Sequence, residues 1–243
     1  MGTGLCCGAG QVGGVKTPDD NPVWTEVDDY FGDLLVPFDD KLDAALRANA
    51  EEGLPQIDVT ALQGKFLEFL VRISGARRVL EIGTLGGYST LWMARGLPAG
   101  GRITTLELDP HHAEVARTNL ANCGVLDRVD LLLGPAVDSL AILEKGGDTA
   151  PEPFDLIFID ADKQSYPEYL LWSLRLSRVG TVIVADNMVR DGRVVEADCD
   201  DVNVQGVKRF TELVAAEPRL SATVLQTVGT KGYDGFALAI VVS

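Results

Sequence analysis

Between residues 78 and 185, five short runs rich in apolar and β-branched residues alternate with four longer stretches of helical periodicity. The runs are 78–82, 102–106, 129–133, 154–159 and 181–185, and the helical stretches between them fall at 89–95, 110–123, 136–144 and 166–177. Helical connections of that length return the chain to lay the next strand parallel to the last, and they cover both faces of the sheet. A helix over 202–216 and two closing strands, 222–226 and 236–242, complete the pattern. The prediction is an α/β fold: a doubly wound, mostly parallel seven-stranded sheet with helices on both faces. Ahead of it, residues 25–35 and 39–49 predict two amphipathic helices, the second marked by Phe38, Leu42, Ala45 and Leu46 at steps of three and four. A third helix is expected over 60–74, capped by Asp58 or Thr60.

With 243 residues, 46% of them hydrophobic, the chain is long enough for one well-buried core, and residues 23–243 read as a single domain. Six glycines in the first 14 residues, followed by Thr17-Pro18-Asp19-Asp20-Asn21-Pro22, give no core-facing period, so 1–22 reads as a flexible tail and 146–153 as a surface loop. The formal charge of −15 repels phosphate backbones and anionic bilayers, so neither nucleic acid nor membrane is an expected partner. The apolar run 236–242 is far shorter than the roughly 18 residues a membrane span needs. Residues 1–15 carry no basic side chain and no undiluted apolar core, hence no secretory signal and an expected cytoplasmic location. Cys6, Cys7, Cys123 and Cys199 show neither metal-ligand spacing nor a disulfide framework and are expected as thiols. The start Met1-Gly2 only approaches an acylation signal, because Cys6 stands where serine or threonine is required.

Three strand ends carry the chemistry. The first runs through Glu81-Ile82-Gly83-Thr84-Leu85-Gly86-Gly87-Tyr88-Ser89 into a helix, which sets backbone amides and a helix N-terminus against whatever lies above the strand. Leu85 stands at the second glycine of a dinucleotide fingerprint and disfavours a pyrophosphate. Glu107, ending the second strand, is placed to accept both hydroxyls of a ribose, or else it is a solvated strand-end carboxylate. The fourth strand ends in Asp160-Ala161-Asp162-Lys163 and the fifth in Asp186-Asn187. On neighbouring strands these ends lie about 5 Å apart, and two carboxylates and an amide oxygen suit Mg, Ca or Mn better than zinc. The plainer alternatives are helix caps for the aspartates and a surface position for Lys163.

Taken together, the 81–89 stretch, Asp160-Ala161-Asp162-Lys163 and Asp186-Asn187 resemble the cation-dependent class I S-adenosylmethionine O-methyltransferases, the catechol and caffeoyl-CoA family, over about residues 27–242. The resemblance implies a Rossmann-like methyltransferase fold, S-adenosyl-L-methionine as cofactor together with a divalent cation, and transfer of a methyl group to a hydroxyl of a small phenolic substrate, a vicinal diphenol. It also implies a homodimer. Residue by residue, it puts Glu81, Gly83 and Ser89 at the methionine end of the cofactor, Glu107 on the ribose and Ala136 near the adenine. Ile57 and Val59 would close over the cofactor. Asp160, also at the cofactor, Asp186 and Asn187 would hold the metal, and Lys163 would be the catalytic base. His111 and His112, just inside a predicted surface helix, are poor base candidates. In the 187–206 stretch, Asp191, Glu196, Asp198, Asp200 and Asp201 outnumber Arg190 and Arg193, so the expected acceptor is neutral or cationic and not a CoA ester. Tyr166, Trp172 and Cys199 read as packing or incidental residues. A nucleotide-binding oxidoreductase on the same sheet and a catalytically inactive binding protein are the alternatives.

Overall fold

The computed structural model describes residues 21–146 and 152–243. Three helices come first, α1 (Pro22–Leu35), α2 (Asp40–Glu51) and α3 (Ala61–Ser74). The alternating body follows: β1 (Arg78–Ile82), α4 (Tyr88–Gly96), β2 (Arg102–Glu107), α5 (Pro110–Cys123), β3 (Val129–Leu133), α6 (Ala136–Lys145), β4 (Phe154–Ile159), α7 (Tyr166–Arg175) and β5 (Ser177–Ala185). It closes with α8 (Val202–Ala216), β6 (Leu220–Gly229) and β7 (Gly232–Val241). One seven-stranded sheet runs in the order β3-β2-β1-β4-β5-β7-β6, parallel through β5, with β7 antiparallel to both neighbours. The strand order reverses between β1 and β4, and in open α/β sheets ligands bind outside the carboxyl ends at such a switch point.

Alternation along the strands builds two cores. Leu80, Ile82, Ile157, Ile159 and Ile183 face α6, α7 and α8, where they meet Leu140, Tyr166, Leu170 and Phe210. Val79, Ile103, Leu156, Phe158 and Val184 face the other way, onto Leu42, Leu67, Val71, Trp92 and Leu120 of α2 to α5. Both faces are thus apolar, which is why the inner strands read as near-continuous hydrophobic runs.

Three boundary regions depart from the sequence reading, and one open alternative, the cap of α3, is decided. Helix α1 begins at Pro22, with Asn21 as its cap accepting from Val23 N at 3.2 Å. Asn-Pro is therefore a start signal, proline at the first helical position losing no bond, and not the end of a tail. Residues 1–20, with Cys6 and Cys7, lie outside the described residues, as do 147–151 of the expected loop. Thr60, not Asp58, caps α3 in a capping box with Gln63. Helix α7 stops at Arg175, and β5 takes over from Ser177, where exposed Arg178, Val179 and Gly180 hid the strand behind a polar pattern. Strands β6 and β7 are ten residues each and run past the sheet body into a hairpin closed at Thr230-Lys231. No side chain of α1 is buried, and Asp28 pins the helix to the hairpin by accepting from Thr230 N at 2.8 Å.

Candidate active site

A cleft of about 1250 Å³ opens at the switch point. Ile57, Val59, Gly83, Ser89, Glu107, Ala136, Asp160, Lys163, Asp186 and Asn187 all line it. Glu81 does not. It is fully buried beneath the glycine loop, where its carboxylate accepts hydroxyl bonds from Ser89 at 2.6 Å, Thr105 at 2.6 Å and Thr90. The residue expected at the cofactor instead holds Ser89 in the wall. Burial wins over the three hydroxyls and pushes the Glu81 carboxyl up to about 7.

The glycine loop and the β4 end touch backbone to backbone. Asp160 N donates to Ile82 O at 2.9 Å, and a Cβ on Gly83 would stand 2.1 Å from the Asp160 carbonyl oxygen. With φ at +99°, only glycine fits there. Leu85 sits at φ +50°, an unfavourable conformation for leucine that is anchored by Glu107. Glu107 Oε2 accepts from Leu85 N at 2.8 Å and Thr84 N at 3.2 Å, and Oε1 accepts from Asp109 N at 2.9 Å. Three of the roughly four acceptor directions of this carboxylate are thus taken by backbone, so it has room for one ribose hydroxyl at Oε1, not the expected two. His112 Nδ1 lies 3.5 Å from the same Oε1 and lines the cleft, so this histidine belongs to the site and not to an open surface.

Parallel pairing of Ile159 with Ala185 brings the next residues, Asp160 and Asp186, to adjacent strand ends. Lys163 Nζ donates to Asp160 Oδ1 at 2.8 Å and to Ala161 O at 2.9 Å. Its turn is wedged by α8, because Gly206 packs so closely that a Cβ would meet Lys163 O at 2.2 Å. Asp186 is buried, with Asn187 N donating to its Oδ1 at 2.7 Å. Burial first, and the charge of Asp160 second, push its carboxyl up to about 7. Tyr166, read as packing, also ties both strand ends together, its hydroxyl donating to Ile159 O at 3.1 Å and Asp186 O at 3.0 Å. Asn187 follows at φ +56°, a conformation asparagine tolerates better than most residues. Among the described residues no group of three or more His, Cys, Asp or Glu side chains is placed so that it could hold a metal ion. The set here is two carboxylates and an amide, all hard oxygen donors, and the mutual repulsion of the carboxylates is what a divalent cation would relieve.

A buried amide relay, not visible along the chain, links the covering segment to the glycine loop. Asn49 Nδ2 donates to Asp58 Oδ1 at 2.9 Å, while Asn119 Nδ2 donates to Asn49 Oδ1 and Gly86 O, both at 2.9 Å. Lys231 of the hairpin fixes the same segment by donating to Gln56 O at 3.1 Å. Residues 56–59 are therefore held over the cleft from both sides.

Comparison with known proteins decides between the rival readings of this nucleotide-type site. The model of the O-methyltransferase family matches residues 39–240. The chain belongs to the O-methyltransferase family. Two curated relatives named catechol O-methyltransferase are 50% identical. The protein from Niastella koreensis aligns over 91% of this chain and 99% of its own length, and that from Mycobacterium tuberculosis over 92% and 98%. The crystal structure of the O-methyltransferase from Bacillus cereus in complex with SAH superposes with a TM-score of 0.88 at 55% identity, covering 90% of this chain and 99% of that one. The sheet of this O-methyltransferase is the class I methyltransferase sheet, and the dinucleotide-oxidoreductase alternative falls away. Among the described residues no helix is long and apolar enough to cross a membrane.

Proposed function

We propose that this O-methyltransferase transfers a methyl group from S-adenosylmethionine to one hydroxyl of a vicinal diphenol, with a divalent cation at Asp160, Asp186 and Asn187. The observation that carries the reading is the convergence of that oxygen-donor set and Lys163 with the glycine loop and Glu107 in one cleft. The names of the two curated relatives support the acceptor class, and the bound SAH of the Bacillus cereus enzyme supports the cofactor.

A phenol ionises near pH 10, so little phenolate exists at neutral pH, and a divalent cation supplies the charge that favours it. The chain's own residues do the rest. Gly83 leaves room for the methionine end of the cofactor, Ser89 offers it a hydroxyl, and Glu107 Oε1 accepts a ribose hydroxyl. Ile57 and Val59 exclude water above it. Lys163, in its neutral amine form, is the base that receives the proton of the attacking hydroxyl, and Asp160 orients it by accepting from Nζ. Of the divalent cations, magnesium suits the donor set and calcium or manganese are the alternatives. We place the enzyme in the cytoplasm and as a homodimer, the latter supported by the exposed apolar side chains of α1 (Val23, Val27, Tyr30, Phe31, Leu34) and of edge strand β6 (Val224, Leu225, Val228).

The test is methyl transfer to a panel of vicinal diphenols and their mono-ols, read by mass spectrometry with and without EDTA. Turnover should require both hydroxyls, vanish on chelation and return with magnesium, while SAH binding measured by calorimetry persists. Lys163→Ala should be slow at neutral pH and recover in part as the substrate ionises unaided. Full activity after verified metal removal would overturn the cation, and methylation of no diphenol would overturn the acceptor class.

A further inference from the structure

Arg190 stands in the loop after β5, three residues beyond Asn187, and lines the same cleft as Asp160, Asp186 and Asn187. The loop is stitched to β7. Met188 N donates to Gly235 O at 2.9 Å, Val189 N and Arg190 N donate to Asp234 Oδ1 at 2.8 and 3.1 Å, and Asp191 N donates to Tyr233 O at 3.2 Å. Arg190 is therefore fixed in place, at φ +54°, and its backbone cannot swing the head group away without breaking these bonds.

The head group itself is poorly satisfied. Its Nε is buried and has no hydrogen-bond partner. The carboxylate facing it, Asp234, approaches no nearer than 3.9 Å at Nη1, and one oxygen of that carboxylate is already bonded to two backbone amides. A buried donor left unmade costs about 1 to 3 kcal/mol, and a guanidinium carries five donors in a fork matched to a carboxylate. The 30% of the side chain that remains exposed belongs to a residue of the cleft wall.

The acidic residues of the 196–201 stretch do not reach the cleft wall where this charge stands. Asp201 caps α8 by accepting from Asn203 N at 2.8 Å and pairs with Arg193 at 2.7 Å, and Glu196 also faces Arg193 at 3.7 Å. None of Glu196, Asp198, Asp200 and Asp201 lines the cleft, whereas Arg190, Asp191 and Asn203 do. Of the charges summed in the expectation of a neutral or cationic acceptor, Asp201 and Glu196 are engaged by Arg193 outside the cavity, and Arg190 and Asp191 are the ones that reach its wall.

We infer that Arg190 is a specificity residue that selects acceptors carrying a carboxylate beside the diphenol ring. The inference rests on the proposed diphenol acceptor and refines it. The experiment compares kcat/KM for 3,4-dihydroxybenzoate and its methyl ester in the wild type, Arg190→Gln and Arg190→Lys. The wild type should favour the acid, and R190Q should lower the acid-to-ester ratio by about tenfold or more, mainly through KM, with R190K recovering part of it. The ratio cancels any loss of folding or of cofactor binding common to both acceptors. An unchanged ratio in R190Q would overturn the inference. Calorimetry of the acid and the ester against the SAH-loaded protein separates this from failure of the diphenol reading. Acid binding that weakens about tenfold in R190Q, in an enzyme that methylates neither compound, keeps the carboxylate site and removes the diphenol chemistry. Acid binding that is equal in both proteins, or absent from both, removes the site.

Discussion

Glu81→Gln should flatten the pH dependence of stability that the native carboxyl imposes. Glu81 is wholly buried, and two effects compete there. The hydroxyls of Ser89, Thr90 and Thr105 favour the ionised form, while desolvation, reinforced by the charge of Asp160, opposes it and prevails, raising the carboxyl from 4.5 to about 7. A group whose pKa is raised on folding holds its proton more tightly in the folded state, so its contribution is complete below the unfolded value. It is lost as pH rises through the folded one. At about 1.36 kcal/mol per pKa unit, the loss between pH 5 and pH 8 is about 2.5 kcal/mol. Glutamine keeps the volume and the acceptor oxygen, and the hydroxyl rotors can turn to accept from its amide. Urea unfolding of both proteins at pH 5 and pH 8 measures the difference. The wild type should lose about 2.5 kcal/mol more than Glu81→Gln across that interval. Asp186, whose carboxyl is also raised, contributes to the slope of both proteins and drops out of the comparison. Equal slopes in the two proteins, or a wild type that gains stability relative to the variant as pH rises, would refute the balance of burial over hydrogen bonding.

Glu107→Ala should weaken SAH binding by about ten- to a hundredfold in calorimetry, because it removes a charged acceptor and releases the amides of Thr84 and Leu85 that shape the loop. Unchanged affinity would remove Glu107 from the site. If the proposed homodimer pairs through the exposed apolar face of α1, the wild type should sediment as a dimer and Phe31→Asp as a monomer with the cleft intact, and a monomeric wild type would refute the pairing.

The parallel body of the sheet is legible because β1, β2 and β4 are largely buried on both faces, and they and the edge strand β3 end where a glycine, an acidic residue or a turn interrupts an apolar run. Legibility fails where burial stops. Of the first residues of β5, Ser177 reads as the end of a helix and the exposed 178–180 as no element, and the outer parts of β6 and β7 pair with each other beyond the core. Their register is set by each other and by the turn at Thr230-Lys231, so no half-buried alternation marks them in sequence.

Site residues divide along the same physical line. Gly83, Glu107, Asp160, Lys163, Asp186 and Asn187 could be read because each sits at or just past the end of a strand, and topology alone brings strand ends together. Asn49 and Asn119 are 70 positions apart and meet only because α2 packs on α5, so no spacing announces the relay they make to Gly86. Glu81 stands at the expected position in the chain, but the strand's alternation turns its carboxylate under the loop whose neighbours line the cleft. Arg190 shows the limit of counting charge. A carboxylate committed to a helix cap or an ion pair, as Asp201 is, has little field left to offer a substrate, whereas a fixed guanidinium whose buried Nε is unbonded and whose facing carboxylate, Asp234, stays 3.9 Å away keeps more of its own. The sign that an acceptor meets in this cleft is therefore set by which charges remain unspent at its wall and not by the sum over the rim.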